Sequence, residues 1–196
     1  MQRSDTYSER AAAARCHILA AGLTALLAAG WPAPAGAKVF MTQEEALRSA
    51  FPAGVEPRRQ TAFLTEEQAA AVQRAAGSPL PSKVITYYTG ADRTVYFDTH
   101  LVRTLPETLM IAVTASGAIG RIEILSFSEP EDYLPRKGWM GQLEGKALDE
   151  DLSLRRGVRP ISGATLTGRA VVEAARRILS IHAEIAKARP PEGAKP

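Results

Sequence analysis

The chain has 196 residues, of which 45% are hydrophobic and 23% charged, an ordinary composition for one globular domain with a core. Its formal net charge is +3, and it has no lysine- or arginine-rich block interleaved with aromatic residues. This composition excludes an extended basic surface for nucleic acid, so we predict no nucleic-acid partner.

The N-terminal segment has the three parts of a secretory signal. Arginines precede an apolar run over residues 18–31, and residues 35–37 (Ala-Gly-Ala) fit the small-residue cleavage pattern. The run of about 14 residues is shorter than the ~20 that span a bilayer as a helix. We therefore predict a signal peptide over residues 1–37 and an exported protein that is periplasmic or faces the periplasm. An uncleaved membrane anchor is the alternative.

Cys16 is the only cysteine and lies inside this signal, so a mature chain beginning near Lys38 contains none. That excludes disulfides, iron–sulfur clusters and c-type haem attachment in the mature chain. Its two histidines, His100 and His182, lie far apart without acidic residues at metal-site spacing. We expect packed or surface histidines and no metal site.

Two short helices are predicted at the start of the mature chain, each opened by a capping box. In this motif each of two side chains accepts a hydrogen bond from the other's backbone N–H. Thr42 opens the first helix, over residues 42–52, and Thr65 opens the second, which ends at Gly77. Residues 52–59 are predicted to be a connecting loop.

From Lys83 onward the sequence is rich in Val, Ile, Thr and aromatic residues, which is typical of β-strands. It predicts two hairpin pairs, residues 84–88 with 94–97 and residues 109–114 with 119–127. Polar residues within the last strand predict that one of its faces is exposed to water. Strand pairs flanked by helices indicate an α+β fold with a largely antiparallel sheet of hairpins.

After a charged linker (149–156), a helix without Gly or Pro is predicted from Arg169 to about Arg189. Its apolar residues recur at helical spacing, so we expect this C-terminal helix to pack on the sheet. Residues 38–189 are therefore predicted to form a single domain, and the Pro-rich residues 190–196 a disordered tail.

The stretch Ile161-Ser-Gly-Ala-Thr-Leu-Thr-Gly168 precedes this helix and is typical of a phosphate site. Small residues let a ligand approach the backbone closely. The first N–H groups of a helix lack internal partners and carry the positive end of its dipole. With hydroxyls directed to the same place, the stretch predicts a phosphate-bearing cofactor. The alternative is that Ser162 or Thr165 is an ordinary helix N-cap.

Residues 162–165 (Ser-Gly-Ala-Thr) resemble the hallmark of the FMN-binding domain family. That family includes the flavin-carrying subunits of sodium-pumping NADH:quinone oxidoreductase and of the Rnf-type ion-pumping complex. Three further segments are similar to the family, namely residues 114–125, Glu129-Pro130 and residues 139–146. The resemblance covers about residues 80–185. It implies FMN as the cofactor, with its phosphate esterified to Thr165.

The resemblance also implies the rest of a flavin site. Around Thr165, small or hydroxyl-bearing residues would shape the phosphate cradle, namely Ser162, Gly163, Ala164 and Thr167. Trp139, Tyr133 and Met140 are candidate neighbours of the flavin ring, and Glu129 is a candidate hydrogen-bond partner. Core packing or an exposed loop position is the alternative for each. An FAD:protein FMN transferase would attach the flavin, and redox proteins, membrane-bound ones among them, would exchange electrons with it.

One position departs from the family pattern. The family's Asp, three residues before the Ser, takes part in flavin transfer, and Arg159 stands in its place here. The departure bears on covalent attachment and not on affinity for phosphate. Arg155, Arg156 and Arg159 would strengthen that affinity, because guanidinium pairs well with phosphate oxygens. A solvated face is the alternative for these arginines.

No catalytic constellation accompanies the predicted site. The sequence has no Gly-x-Ser-x-Gly and no complete Gly-x-Gly-x-x-Gly motif. We therefore predict an exported FMN-binding electron-transfer protein, with the flavin on Thr165, rather than an enzyme with its own substrate. The alternatives are a non-covalent FMN-dependent reductase and a flavin-free periplasmic adaptor or sensor module.

Overall fold

The computed structural model describes residues 36–188. The predicted signal up to residue 35, with Cys16, and the predicted tail lie outside the described residues. The strands are β1 (Lys38–Val39), β2 (Arg58–Phe63), β3 (Val84–Gly90), β4 (Arg93–Val102), β5 (Leu105–Thr114) and β6 (Ile119–Phe127). The helices are α1 (Gln43–Ala50), α2 (Glu66–Ala76), α3 (Lys137–Met140) and α4 (Thr165–Ala188), with a 3₁₀ turn at Glu131–Tyr133.

The strands form one sheet in the order β1-β6-β5-β4-β3-β2, and every neighbouring pair is antiparallel. α4 packs on this sheet against β4 and β5, with α2 beside it. The predicted α+β fold, with a C-terminal helix on an antiparallel sheet, is confirmed. Within residues 36–188, no helix combines the length and the apolar composition that crossing a membrane requires.

Three element boundaries differ from the sequence prediction. Residues 58–63 form the edge strand β2, which is not predicted from the sequence and which begins inside the predicted loop of residues 52–59. Backbone pairing with β3 holds this strand rather than an apolar pattern of its own. β4 and β5 continue to a tight turn at Arg103 and Thr104. α4 begins at Thr165 instead of Arg169, because the first turn of a helix accepts the small, hydroxyl-bearing residues that suggest a loop.

The main core lies between the sheet and the pair of α2 and α4. Buried side chains of the sheet meet those of α4 here, among them Tyr96, Leu109, Ile111, Val171 and Ile178. The apolar residues of α4 recur at helical spacing, so one face of the helix is buried along its length. Burial of each large aliphatic side chain contributes about 1.5–3 kcal/mol.

A second, smaller apolar cluster covers the opposite face of the sheet. Side chains at the end of α1, including Ala50 and Phe51, pack against Met110 and Leu125. Arg121 lies at the edge of this cluster and donates from Nη1 to the carbonyl of Ser49 at 2.9 Å. The face of β6 that the sequence predicts to be exposed is therefore partly covered by α1.

Two β-bulges interrupt β6. Its pairing with β5 skips Gly120 and Leu125, so β6 has one extra residue at each point. Each extra residue breaks the strict alternation of side chains between the two faces. After the second bulge, Phe127 lies directly opposite Glu107 of β5.

The predicted charged linker is an ordered loop. The carboxylate of Asp149 accepts hydrogen bonds from the backbone N–H of Asp151 at 2.9 Å and of Leu152 at 3.1 Å. Arg176 of α4 donates to the carbonyls of Asp149 and Leu152, and to that of Ala75 in α2. One side chain of α4 thus connects this loop to the end of α2.

Candidate functional site

The start of α4 presents the hydroxyl-bearing residues of the predicted phosphate site. Ser162 and Thr165 are exposed, whereas Ala164 and Thr167 are buried. Gly163 has φ 80°, in the left-handed region that favours glycine, and turns the chain into the helix. The first N–H groups of α4 lack intrahelical acceptors and carry the positive end of its dipole. This end of the helix therefore suits an anion.

A cleft of about 180 Å³ opens beside this turn and is lined by Arg103, Glu129, Tyr133 and residues 163–167. We call it the Thr165 cleft. The Arg103 guanidinium lies 5.4 Å from the centroid of the Tyr133 ring, at cation–π distance. Thr167 Oγ1 donates a hydrogen bond to Glu129 Oε2 at 3.3 Å. The cleft thus combines a cation, an aromatic ring, a carboxylate and exposed backbone.

Arg103 is a residue of this cleft that the sequence does not reveal. It occupies the turn between β4 and β5 with φ 57°, a conformation uncommon for residues other than glycine. The turn consists of Arg103 and Thr104, without the Gly or Asn that usually marks a tight hairpin. No sequence signal therefore places this side chain beside Tyr133.

A second cleft, of about 400 Å³, shares Thr165 with the first and is basic. Its lining includes Arg155, Arg169 and Arg176. Of the three arginines predicted to strengthen phosphate binding, Arg155 alone lines it. Arg156 pairs instead with the carboxylate of Glu150. Arg159 is the third, and both its backbone N–H and its Nε donate to Gln142 Oε1, at 3.2 and 3.3 Å.

Trp139 lies behind the first turn of α4. Its Nε1 donates to the carbonyl of Arg159 at 2.6 Å, and its ring is packed near Gly168, where an added Cβ would lie 3.4 Å from Cζ2. Among the predicted ring neighbours, Tyr133 lines the Thr165 cleft, whereas Trp139 and the buried Met140 line neither cleft. Contact of Trp139 with the flavin stays a prediction.

A row of buried polar side chains lies beneath α4. Arg177 donates from Nε and Nη2 to the two carboxylate oxygens of Asp98, at 2.9 and 2.7 Å, and from Nη1 to Ser78 at 3.0 Å. The ring nitrogens of His100 lie 2.9 Å from an oxygen of Asp98 and 3.1 Å from one of Glu107. We call Asp98, His100, Glu107 and Arg177 the buried polar row. No side chain in it is more than 10% exposed.

Burial and charge set the protonation of this row. Burial by itself lowers the pKa of His100, but hydrogen bonds to Asp98 and Glu107 outweigh it and raise this pKa to about 9. Burial works against the charge of Asp98 too, yet His100 and Arg177 hold the Asp98 pKa below its ordinary value. For Glu107 burial prevails and raises the pKa, and the charges of Glu129 and Asp98 act in the same direction.

The sequence predicts a packed or surface His100, and the structure gives it a packed position with two acidic partners. Asp98 and His100 are two residues apart, so they share one face of β4. Glu107 lies opposite His100 only because β4 and β5 continue to the turn at Arg103. Within the part of the chain that the structure describes, no group of three or more His, Cys, Asp or Glu residues could hold a metal ion.

Comparison with known families gives one match, which covers part of the chain. Residues 105–180, which run from β5 into α4 and include most of the Thr165 cleft, match the family model described as "FMN-binding domain". The matched segment belongs to the FMN-binding domain family, and the chain is an FMN-binding flavoprotein. Searches of the curated proteins and of the solved structures give no match to the chain. The predicted family and the predicted cofactor, FMN, are confirmed.

The residues of the Thr165 cleft fit the phosphate end of FMN. An exposed hydroxyl, the N–H groups of a helix start and the Arg103 guanidinium face one small space. A Cβ added at Gly163 would meet no atom within 4 Å, so a ligand can approach the backbone there. Tyr133 adds a flat ring beside Arg103.

Proposed function

We propose that the chain is an exported electron-transfer protein whose FMN is linked through its phosphate to Thr165. One observation carries the proposal. Thr165 has an exposed side chain at the positive end of a 24-residue helix, and it lines both clefts. FMN would supply the redox chemistry, and the protein its orientation and surroundings.

Neighbouring hydroxyls are less suited to the link than that of Thr165. Thr167 is 1% exposed and donates to Glu129, so a modifying enzyme has little access to its oxygen. Ser162 is exposed but lines neither cleft. Transfer from FAD would join the flavin phosphate to Thr165 Oγ, with loss of the hydroxyl proton, and would release AMP.

The other cleft residues would hold the cofactor without taking part in electron transfer. Arg103 would balance the phosphate charge, and Tyr133 would give the ring or the ribityl chain a flat surface. Glu129 would keep Thr167 and the start of α4 in place. The cleft hydroxyl that is hydrogen-bonded to a carboxylate belongs to Thr167, which is 1% exposed and therefore out of reach of a substrate. This favours a carrier over an enzyme with its own substrate.

Export and redox partners belong to the same proposal. The N-terminal sequence motivates export, and a covalent link suits an exported protein, because such a protein cannot replace lost FMN from the cytoplasm. An FAD:protein FMN transferase would be the maturation partner. Redox proteins, including membrane-bound ones, would donate and accept the electrons.

The test is co-expression with and without an FAD:protein FMN transferase, followed by denaturing gels under ultraviolet light. We expect a fluorescent band that needs the transferase, is lost in Thr165→Ala and is kept in the matched control Ser162→Ala. A fluorescent band that persists in Thr165→Ala would refute the link. Flavin that binds but leaves on denaturation would identify the non-covalent alternative, and Arg159→Asp would then test whether this position prevents attachment.

A further inference from the structure

We propose that Glu107 is a proton-binding site that gains a proton when negative charge enters the Thr165 cleft. The inference rests on the proposed function for the source of that charge, which is bound FMN. The proton site itself is a property of the flavin-free protein, so it can be tested separately.

The first observation is an unpartnered oxygen. Glu107 is 0% exposed, and its Oε2 is hydrogen-bonded to His100 Nε2. Its other carboxylate oxygen, Oε1, has no hydrogen-bond partner within the described part of the chain. Ser128 follows Phe127 in the chain, and its hydroxyl oxygen is likewise buried without a hydrogen-bond partner among these residues. An ionised carboxylate with an unpaired buried oxygen is costly, whereas a proton on it removes the charge and creates a donor.

The second observation connects Glu107 to the cleft. Glu107 lies opposite Phe127, and the chain reaches Glu129 two residues later. Glu129 lines the Thr165 cleft and accepts from Thr167. Its negative charge contributes to the raised pKa of Glu107, so charge in the cleft acts on Glu107. An anion bound beside Glu129 would act with the same sign.

The third observation is the charge balance beneath α4. The groups that face Glu107 are His100 and Asp98 of β4, Arg177 of α4 through Asp98, and Glu129 after β6. With His100 protonated and Glu107 ionised, the two positive and two negative charges of the buried polar row cancel. A proton on Glu107 leaves one positive charge in excess, which compensates an anion in the cleft.

The test is carboxyl-carbon NMR titration of the glutamates in the flavin-free protein. We expect one glutamate to titrate above the ordinary value of about 4.3, and its signal to be missing in Glu107→Gln. Glu129→Gln should lower the midpoint of Glu107, because it removes a nearby like charge. An ordinary midpoint for Glu107, or no effect of Glu129→Gln, overturns the proposal.

Glu123→Gln is the matched control. Glu123 is also a glutamate of this region, but it lies opposite Met110 on the face covered by α1 and is paired with Arg121 at 3.0 Å. Its replacement removes the same charge and should leave the midpoint of Glu107 unchanged. An equal shift in both variants would mean that Glu107 senses overall charge and not the cleft, which also overturns the proposal.

The flavin enters in a final step. Loading with FMN should raise the midpoint of Glu107 above its flavin-free value, and an unchanged midpoint contradicts the coupling. A chain that takes up no flavin refutes the proposed function instead. The effect of Glu129→Gln on Glu107 then still decides whether the proton site responds to charge in the cleft.

Discussion

Gly157 shows how one residue fixes the loop that precedes the phosphate motif. A Cβ added there would lie 2.4 Å from the backbone oxygen of Asp151, closer than Cβ atoms come to any neighbour. Leu154 and Val158 form an isolated β-bridge around it, and Arg155 between them has φ 70°. The turn is therefore closed around a position that has no space for a side chain.

Gly157→Ala is expected to destabilise the protein by about 1–3 kcal/mol, because the backbone of Asp151 must move to admit the methyl group. The free energy of unfolding in urea measures this loss. Gly138→Ala, in α3, is the control: an added Cβ meets nothing within 4 Å there, so its stability should stay close to that of the wild type. Equal stability of the two variants would contradict the packing argument.

At the scale of elements, α4 joins the cofactor site to the core. Thr165 begins the helix, and Arg177, further along, binds both carboxylate oxygens of Asp98 on β4. Arg176 beside it holds the carbonyls of α2 and of the ordered loop. The position of the proposed flavin link is thus determined by contacts far along the same helix.

Arg177→Met is expected to cost about 3–5 kcal/mol of stability, because it leaves the carboxylate of Asp98 buried without its main partner. Thermal and urea unfolding measure the loss. The double variant Arg177→Met/Asp98→Asn removes both charges and should recover a large part of it. A double variant as unstable as the single one would show that lost packing, rather than the unpaired charge, accounts for the cost.

Local signals in the sequence predicted the elements that depend on local contacts. The capping boxes at Thr42 and Thr65 form as predicted, because each needs only residues three positions apart. The Ser-Gly-Ala-Thr motif led to FMN, the cofactor that the family match confirms, although the helix begins inside the motif at Thr165 and not at Arg169 as predicted. Both signals are contained in a few consecutive residues.

Features that depend on distant pairing could not be predicted from the sequence. β2 is held by β3, and the bulges of β6 hide its alternation. The turn at Arg103 carries no glycine, so neither the cleft position of Arg103 nor the pairing of His100 with Glu107 follows from the sequence. The acid–imidazole contacts of the buried polar row depend on this cross-strand register.

For the whole molecule, a protonated histidine beneath α4 makes stability depend on pH. The folded-state pKa of His100, about 9, lies above the ordinary value of 6.5. The folded chain therefore binds this proton more tightly than the unfolded chain does, and the protonated form of His100 stabilises the fold. Its contribution is complete below pH 6.5 and is lost as the pH rises to 9. The raised pKa of Glu107 acts in the same sense, since the folded chain holds that proton more firmly than the unfolded chain does.

The free energy of unfolding is therefore expected to fall by roughly 1–3 kcal/mol between pH 6.5 and 9. Urea titrations at the two pH values measure it. His100→Asn should be less stable at the lower pH and should lose most of the difference between the two. A wild type and a His100→Asn variant with the same pH dependence would contradict the assignment of this proton to His100.

The bulge at Leu125 lets β6 carry one residue more than its pairing with β5 uses. Ile124 lies opposite Leu109 and Ser126 opposite Thr108, so Leu125 is the residue without a partner position. Deletion of Leu125 would turn the bulge into regular pairing and leave Phe127 opposite Glu107, on the same face of the sheet. Relatives of this domain can accordingly differ by one residue at this point and still bring the same side chains to the cleft, so a single-residue gap here does not separate two chains in function.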